Sequence, residues 1–532
     1  MNGVSDELIA QATSKMARIN AAWGRICKSR GLKSLAFCVA AFAATAMGSV
    51  AVVDGREWNL SPECRLEGNL LFVSVPKGES GGMHAARTIV DMSRFEREGY
   101  EAVIRVRGED VSVPAQSYNG VKFMLHFRDK AGGGEKWPGA SVPTGTFGWR
   151  MASIRCSDFT GAAGDRAELV LGLQDSSGTV CFDLSTLKFD VPRPHWPVTN
   201  LDHVAVYSQD VATLSRRRGV MSPTRNMTED DFITLRSWGA NLLRYQMMRN
   251  WHGVNTNRDL DEFGRWIGGR LDHFDKFVLP MACKYGIKVV LDFHVPPGGR
   301  AVTGDMNMFY EREYADNFVE TWRQIARRFK GREGIYGYDL INEPSQRDAT
   351  LPGMDYWSLQ RRAAEAVRAE DPDTPIIIES NEWDGPSTFT YLSPLTLTNV
   401  IYQAHMYAPM DFTHQQVLGT RTERTVYPDA NRGWDIDYLR NVLKPVRDFQ
   451  LKHKARIYIG EFSAIAWAQG AERYLADCIK IFEEYGWDWS YHAFREWNGW
   501  SVEHEGENSA SLRRSDDNPR KRALISGLRG GN

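Results

Sequence analysis

The sequence predicts an α/β fold class, a (β/α)8 TIM barrel preceded by an all-β sandwich domain. Three observations carry this expectation. Residues from about Trp58 to Asp190 alternate with period two, a Pro-rich stretch follows, and from there strand and helix patterns alternate about eight times. Domain boundaries follow from the same breaks: 1–53 as a signal peptide or N-terminal anchor, 54–190 as the sandwich, 191–200 as linker and 201–532 as the barrel.

The leading segment carries Arg18, Arg25, Lys28, Arg30 and Lys33 before an apolar run from Leu35 to Val53. A positive region followed by an apolar region and small residues is the order of a secretory signal, with Ala44-Thr45-Ala46 and Ser49-Val50-Ala51 as cleavage sites. An uncleaved anchor is the alternative, weakened by the run's many alanines. The expectation is a secreted, periplasmic or cell-surface protein with no stable membrane partner once the signal is cleaved. Five cysteines remain beyond the leader, an odd number that does not read as a disulfide framework, although a Cys156–Cys181 pair stays open. Lys plus Arg total 65 against 67 Asp plus Glu, so no basic excess points to nucleic acid.

In the sandwich the β runs are Leu70–Val75, Ala102–Val106, Lys122–Phe127, Phe147–Ile154, Leu169–Leu173 and Val180–Phe189, divided by Gly, Pro, Ser and Asp clusters. Val191-Pro192-Arg193-Pro194-His195-Trp196-Pro197 then reads as a stiff linker. The barrel strands are Gly219–Met221, Asn241–Met247, Lys288–His294, Gly337–Asn342, Pro375–Ser380, Val400–Tyr407, Arg456–Phe462 and Trp487–Phe494. Helical patterns between them include Thr228–Trp238, Leu271–Tyr285, Tyr314–Phe329, Tyr356–Ala369, Tyr438–His453 and Ala471–Tyr485. Thr228 stands as an N-cap, and Gly286 and Gly486 stand where helices stop. A doubly wound open sheet is the competing topology, but no GxGxxG follows an early strand.

Chemistry in such barrels sits at the C-terminal strand ends. Those ends carry Arg244, Asp292-Phe293-His294, Asn342-Glu343-Pro344, Glu379-Ser380-Asn381-Glu382-Trp383, His405-Met406-Tyr407 and Gly460-Glu461-Phe462, with Trp497 after the last strand. One carboxylate closes the fourth strand and another the seventh, the minimum set for glycoside hydrolysis. Taken singly, Asn342-Glu343-Pro344 also reads as a strand-ending turn and Glu461 as a solvated carboxylate. Asp292 and His294 share a strand face, but no further ligand set joins them, so neither a metal nor another cofactor is expected.

The ordered set Arg244, His294, Asn342, Glu343, His405, Tyr407, Glu461 and Trp497 resembles glycoside hydrolase family 5, the cellulase-type retaining enzymes, over residues 200–510. The resemblance implies Glu343 as general acid/base and Glu461 as nucleophile. It further implies that Arg244 and Tyr407 hydrogen-bond Glu461, that Asn342 holds the sugar 2-hydroxyl, that His294 and His405 line the same subsite, and that Trp497 forms its floor. Trp383 and Trp500 either stack sugars at further subsites or pack the loops; Trp251 and Trp434 stand in the same position with less to favour them. The β domain is diffusely similar to jelly-roll carbohydrate-binding modules. Within it Tyr118 and Trp137 are candidate sugar platforms, Trp149 is expected in the core, and a purely buttressing role is the alternative.

The function expected is a retaining endo-β-1,4-glucanase acting on a β-linked polysaccharide or oligosaccharide as a monomer. An endo-β-1,4-mannanase or another β-glycanase of the family is the alternative, and a non-catalytic glycan-binding protein is the alternative of another class.

Overall fold

The computed structural model describes residues 49–53, 55–93, 100–128, 134–156, 166–190, 198–209, 214–251, 253–417 and 421–530. The leader up to residue 48, including Ala44-Thr45-Ala46, and the linker stretch Val191–Pro197 lie outside the described residues. The chain divides into two compact units, Met1–Pro192 and Arg193–Asn532.

The first unit holds eleven antiparallel strands: β1 (Ser49–Val53), β2 (Arg56–Leu60), β3 (Cys64–Glu67), β4 (Leu70–Val75), β5 (Met83–Asp91), β6 (Tyr100–Val111), β7 (Gly120–Arg128), β8 (Glu135–Lys136), β9 (Gly145–Cys156), β10 (Arg166–Gln174) and β11 (Gly178–Asp190). They form a six-stranded sheet ordered β1-β2-β5-β10-β7-β8 and a five-stranded sheet ordered β3-β4-β11-β6-β9. Period-two alternation turns Val73, Ile104 and Phe182 of the five-stranded sheet and Phe123, Leu125 and Leu171 of the six-stranded sheet into one buried apolar cluster. All six expected β runs lie within these strands, whereas β1, β2, β3, β5 and β8 were not anticipated.

The pairing left open for Cys181 is not formed, since Cys181 is a buried free thiol, and one expectation fails in this unit. Trp149 is not in the core: it lies half-buried with the Arg105 and Arg107 guanidinium carbons 4.7 and 5.1 Å from its ring. The cause is a bulge, because β9 carries one extra residue between the pairs Val106↔Arg150 and Gly108↔Phe147. Phe147 and Trp149 therefore face opposite sides although they are two residues apart.

The second unit is a closed parallel barrel of β12 (Arg218–Met221), β13 (Leu242–Gln246), β14 (Lys288–Asp292), β15 (Ile335–Asp339), β16 (Ile376–Glu379), β17 (Val400–Met406), β18 (Arg456–Phe462) and β19 (Asp488–Tyr491). The main helices are α1 (Glu229–Trp238), α2 (Leu260–His273), α3 (Leu279–Lys284), α4 (Arg312–Phe329), α5 (Tyr356–Glu370), α6 (Ile436–His453), α7 (Ala471–Tyr485) and α8 (Pro519–Leu528). A π-helical turn, Phe274–Val278, joins α2 to α3, so the expected helix Leu271–Tyr285 is the second half of a longer one. β16 is followed only by short helical turns. At α1 the Asp231 carboxylate accepts the Thr228 N–H at 2.9 Å, which caps the helix start.

Inside the barrel, Leu242, Val290, Tyr336, Ile377, Ile401 and Tyr458 form a buried plug. The strand period then fixes what lies above them. Two residues beyond Leu242, Val290, Ile377 and Ile401 come Arg244, Asp292, Glu379 and Gln403, all completely buried. An apolar floor thus carries a charged storey at the C-terminal strand ends.

Candidate active site

Arg244 is the hub of that storey. Its Nε donates to Asp339 at 2.9 Å, Nη1 to Glu461 at 2.6 Å, and Nη2 to both Asn342 and Glu379 at 2.9 Å. Asp292 stands 3.4 Å away and also accepts from His294 Nδ1 at 2.7 Å. Asn342 Nδ2 lies 3.3 Å from His294 Nε2, so the imidazole is oriented from both sides.

Glu461 receives a second bond from the Tyr407 hydroxyl, at 2.7 Å. A register shift in the β17–β18 pairing, from Ala404↔Ile459 to His405↔Glu461, sets Glu461 beside His405. The preceding Gly460 is required there, since a Cβ would fall 2.3 Å from the Gln403 side chain. Burial by itself would raise the Glu461 pKa, but the positive groups around it, His492 and Arg244 among them, override it and hold the carboxyl well below the usual range.

Glu343 sits at φ 52°, in the left-handed region that a non-glycine residue seldom occupies. Both of its peptide groups are tied: the N–H donates to Glu379 Oε2 at 2.6 Å and the carbonyl accepts from Arg300 at 2.9 Å. Its carboxylate meets His405 Nδ1 at 3.1 Å. Gln403 Nε2 donates to Glu379 and lies 3.1 Å from His405 Nε2. An amide N–H pointing at Nε2 makes that nitrogen the acceptor, so Nδ1 carries the proton that faces Glu343. Oxygen atoms of Glu343 and Glu461 come within 4.8 Å of one another, with His405 beside both.

Residues 207–498 match the family model described as Cellulase (glycosyl hydrolase family 5). The chain belongs to this family. Endoglucanase C of Acetivibrio thermocellus is 28% identical over 264 residues, covering 43% of this chain and 75% of that protein. Cellodextrinase A of Ruminococcus flavefaciens is 24% identical over 278 residues, 51% of this chain and 79% of that protein. A solved endoglucanase structure aligns with 59% of this chain and 97% of its own at 20% identity and a TM-score of 0.46. This family 5 protein is an endo-β-glucanase-like glycoside hydrolase that hydrolyses glycosidic bonds.

Around the paired carboxylates of the family 5 barrel, two tryptophans offer open faces. Trp497 is 38% exposed and rests edge-on against Trp467 and Trp500, with ring centroids 6.0 and 5.8 Å away. Gly499 makes room for it, because a Cβ there would meet the indole at 2.4 Å. Trp383 is equally exposed and lies 4.5 Å from the Arg300 guanidinium carbon, which also packs on Trp251. Trp500, expected among the sugar-contacting residues, is 7% exposed and wedged between Tyr407, His414 and His492. It supports Trp497 and offers no open face of its own.

Glu379 was read at a strand end without a role, and several other residues of the site escaped the sequence reading. Asp339, Glu379, Asp384, Gln403 and Arg300 surround the carboxylates, and His492 with Glu496 flanks Glu461. Burial, with Asp339 and Asp384 nearby, pushes Glu379 well up; burial likewise raises Asp384, and raises Asp339 to about 6. His492, which burial would lower, is instead raised to about 9 by Glu496 and Glu461. The strand phase Ile377–Glu379 and Ile401–Gln403 was the available signal for two of them, whereas Arg300 comes from a loop with none. Two trios are close enough to hold a cation, Glu343–His405–Glu461 and Glu379–Asp384–His405. The Arg244 guanidinium already supplies positive charge to Glu379 and Glu461 by direct hydrogen bonds.

Proposed function

We propose that the chain is an exported endo-β-1,4-glucanase that works by double displacement with retention. Glu461 attacks the anomeric carbon while Glu343 gives its proton to the departing glycosidic oxygen. Glu343 then takes a proton from water, which releases the sugar from Glu461. The observation that carries this reading is the unequal setting of two carboxylates whose oxygens approach within 4.8 Å. Retaining glycosidases hold this pair about 5–5.5 Å apart, whereas inverting ones leave about 6.5–9.5 Å for water. Glu461, bonded by Arg244 and Tyr407, is kept ionised for attack. Glu343 has the His405 donor alone among the described residues and cycles its proton. Asn342 and His294 stand ready for a hydroxyl, Trp497 for the sugar face in the same subsite, and Trp383 for a further ring. The endoglucanases among the relatives support a β-1,4-glucan as substrate.

In the same proposal the two antiparallel sheets form a β-sandwich that binds carbohydrate. Its support is Trp137, 53% exposed yet stacked at 3.5 Å and 3° on His126, with Tyr118 72% exposed. The basic-then-apolar leader supports export. Cleavage after Ala46 would leave β1 whole, whereas cleavage after Ala51 would cut it.

Reducing-end release from soluble β-glucan, β-mannan, xyloglucan and xylan, with Glu461→Gln as control, tests the proposal. Release from β-1,4-glucan that vanishes in the control is the expected result. Release from mannan alone would move the substrate, and glycan binding without any release would replace the enzyme by a binding protein.

A further inference from the structure

Glu379 is absent from the set of residues assigned to the reaction, yet it bonds the backbone of Glu343 and the Arg244 partner of Glu461. It is completely buried, and its carboxylate accepts three donors. Oε2 takes the Glu343 N–H at 2.6 Å; Oε1 takes Arg244 Nη2 at 2.9 Å and Gln403 Nε2. Arg244 in turn bonds the Glu461 carboxylate, and Gln403 directs the His405 imidazole whose Nδ1–H faces Glu343. The Glu379 backbone is itself fixed from α5: Gln360 donates to its carbonyl at 2.9 Å and accepts its N–H at 3.1 Å.

We infer that Glu379 is the positioning residue that sets the acid/base and the nucleophile against each other, resting on the double-displacement reading above. The three donors favour its ionised, acceptor-only form against the burial and neighbouring acids that work the other way, and through that group it holds the left-handed backbone of Glu343, the Arg244 fork and the His405 tautomer. Chemistry explains why a carboxylate is needed there. Three donors converge on two oxygens, and a carboxamide would turn an N–H toward at least one of them. Displacements of about 1 Å in such a constellation cost roughly 10²-fold in rate. His405, the link to Glu343, is also faced by Glu461 at 3.8 Å, Asp384 at 3.9 Å and Glu379 at 4.0 Å.

The test compares wild type, Glu379→Gln and Gln403→Met by kcat, KM and the pH profile of kcat/KM on soluble β-glucan and on an aryl cellobioside with an activated leaving group. Glu379→Gln is expected to lower kcat about tenfold or more on the polymer with KM within about twofold, and to lose less on the activated glycoside. Gln403→Met frees the His405 tautomer, so the ionised form of Glu343 loses its donor and the alkaline limb moves to higher pH by about half a unit or more. A lower melting temperature with kcat per folded enzyme and both pH limbs unchanged would overturn the inference. Where Glu379→Gln shows no cooperative unfolding, Gln403→Met decides by the same readouts. A wild type that cuts no glucan overturns the catalytic reading instead, which keeps the two failures apart.

Discussion

The two ends of the barrel interior solve the burial of charge in opposite ways. At the N-terminal ends of the strands, Asp488 is matched: it accepts Arg456 Nη2 at 2.7 Å, the Tyr336 hydroxyl at 2.7 Å and the Arg217 N–H at 2.7 Å. At the C-terminal ends a single Arg244 serves Asp292, Asp339, Glu379 and Glu461. Oxygens of Asp292, Asp339 and Asp384 there have no hydrogen-bond partner among the described residues. A balanced network holds the barrel together, whereas an acid-rich one keeps carboxylates in unequal protonation states. The second arrangement costs stability and is found where the chemistry is.

The largest effect expected is at the acid-rich end. Glu461→Ala removes the attacking group and should abolish turnover, by several orders of magnitude, while leaving the balanced end intact. Added azide should restore reaction and give the inverted glycosyl azide, read by NMR of the product. A retained azide adduct would assign the nucleophile elsewhere.

Asp488→Asn strikes the other end. It leaves the half-buried Arg456 facing an amide; breaking a fully buried pair costs about 3–5 kcal/mol, and solvent reaching Arg456 brings the loss toward the lower end. The urea midpoint should fall accordingly while kcat per folded enzyme stays within about twofold. A loss of kcat with unchanged stability would erase the division of labour between the ends.

A smaller effect separates the ends by pH. His492 has its pKa raised to about 9 from an ordinary 6.5, against burial, by Glu496 and Glu461. A raised folded value means that the protonated form is favoured by folding. Its contribution is full below about pH 6.5 and lost as pH rises through about 9. The melting-temperature difference between wild type and His492→Asn should shrink across that window, and a difference constant from pH 6 to 10 would remove His492 from the electrostatics of Glu461.

The balanced and acid-rich ends were not equally legible in the sequence. Strand positions came through because apolar runs such as Arg456–Phe462 follow a helical pattern in strict alternation, and β18 has those same limits. The start of α2 was missed because Gly264, Gly268 and Gly269 read as breakers, although Phe263, Ile267 and Leu271 bury one face of a helix. Glu343 and Glu461 stood out as strand-end carboxylates. Asp384 did not, because it closes a polar loop that becomes interior only when Glu382, Trp383 and Asp384 all adopt positive φ. Trp149 was misplaced by one extra residue in β9, a bulge with no composition signal.

The smallest effect asks whether an open aromatic outside the barrel does work on substrate. Trp137 keeps one face against His126, and the ring beneath is held by Glu135 at 2.9 Å, itself bonded to Arg128 at 3.2 Å. A rigid indole loses little freedom when a sugar ring settles on its other face. Aromatic contacts of this kind contribute about 0.5–1.5 kcal/mol beyond area, roughly two- to tenfold in affinity. Trp137→Ala should therefore weaken retention on insoluble cellulose by that factor and leave kcat/KM on a soluble oligosaccharide unchanged, whereas Trp497→Ala should lower kcat/KM on the oligosaccharide. Equal retention by wild type and Trp137→Ala would leave the first unit without this contact and return sugar recognition to the barrel alone.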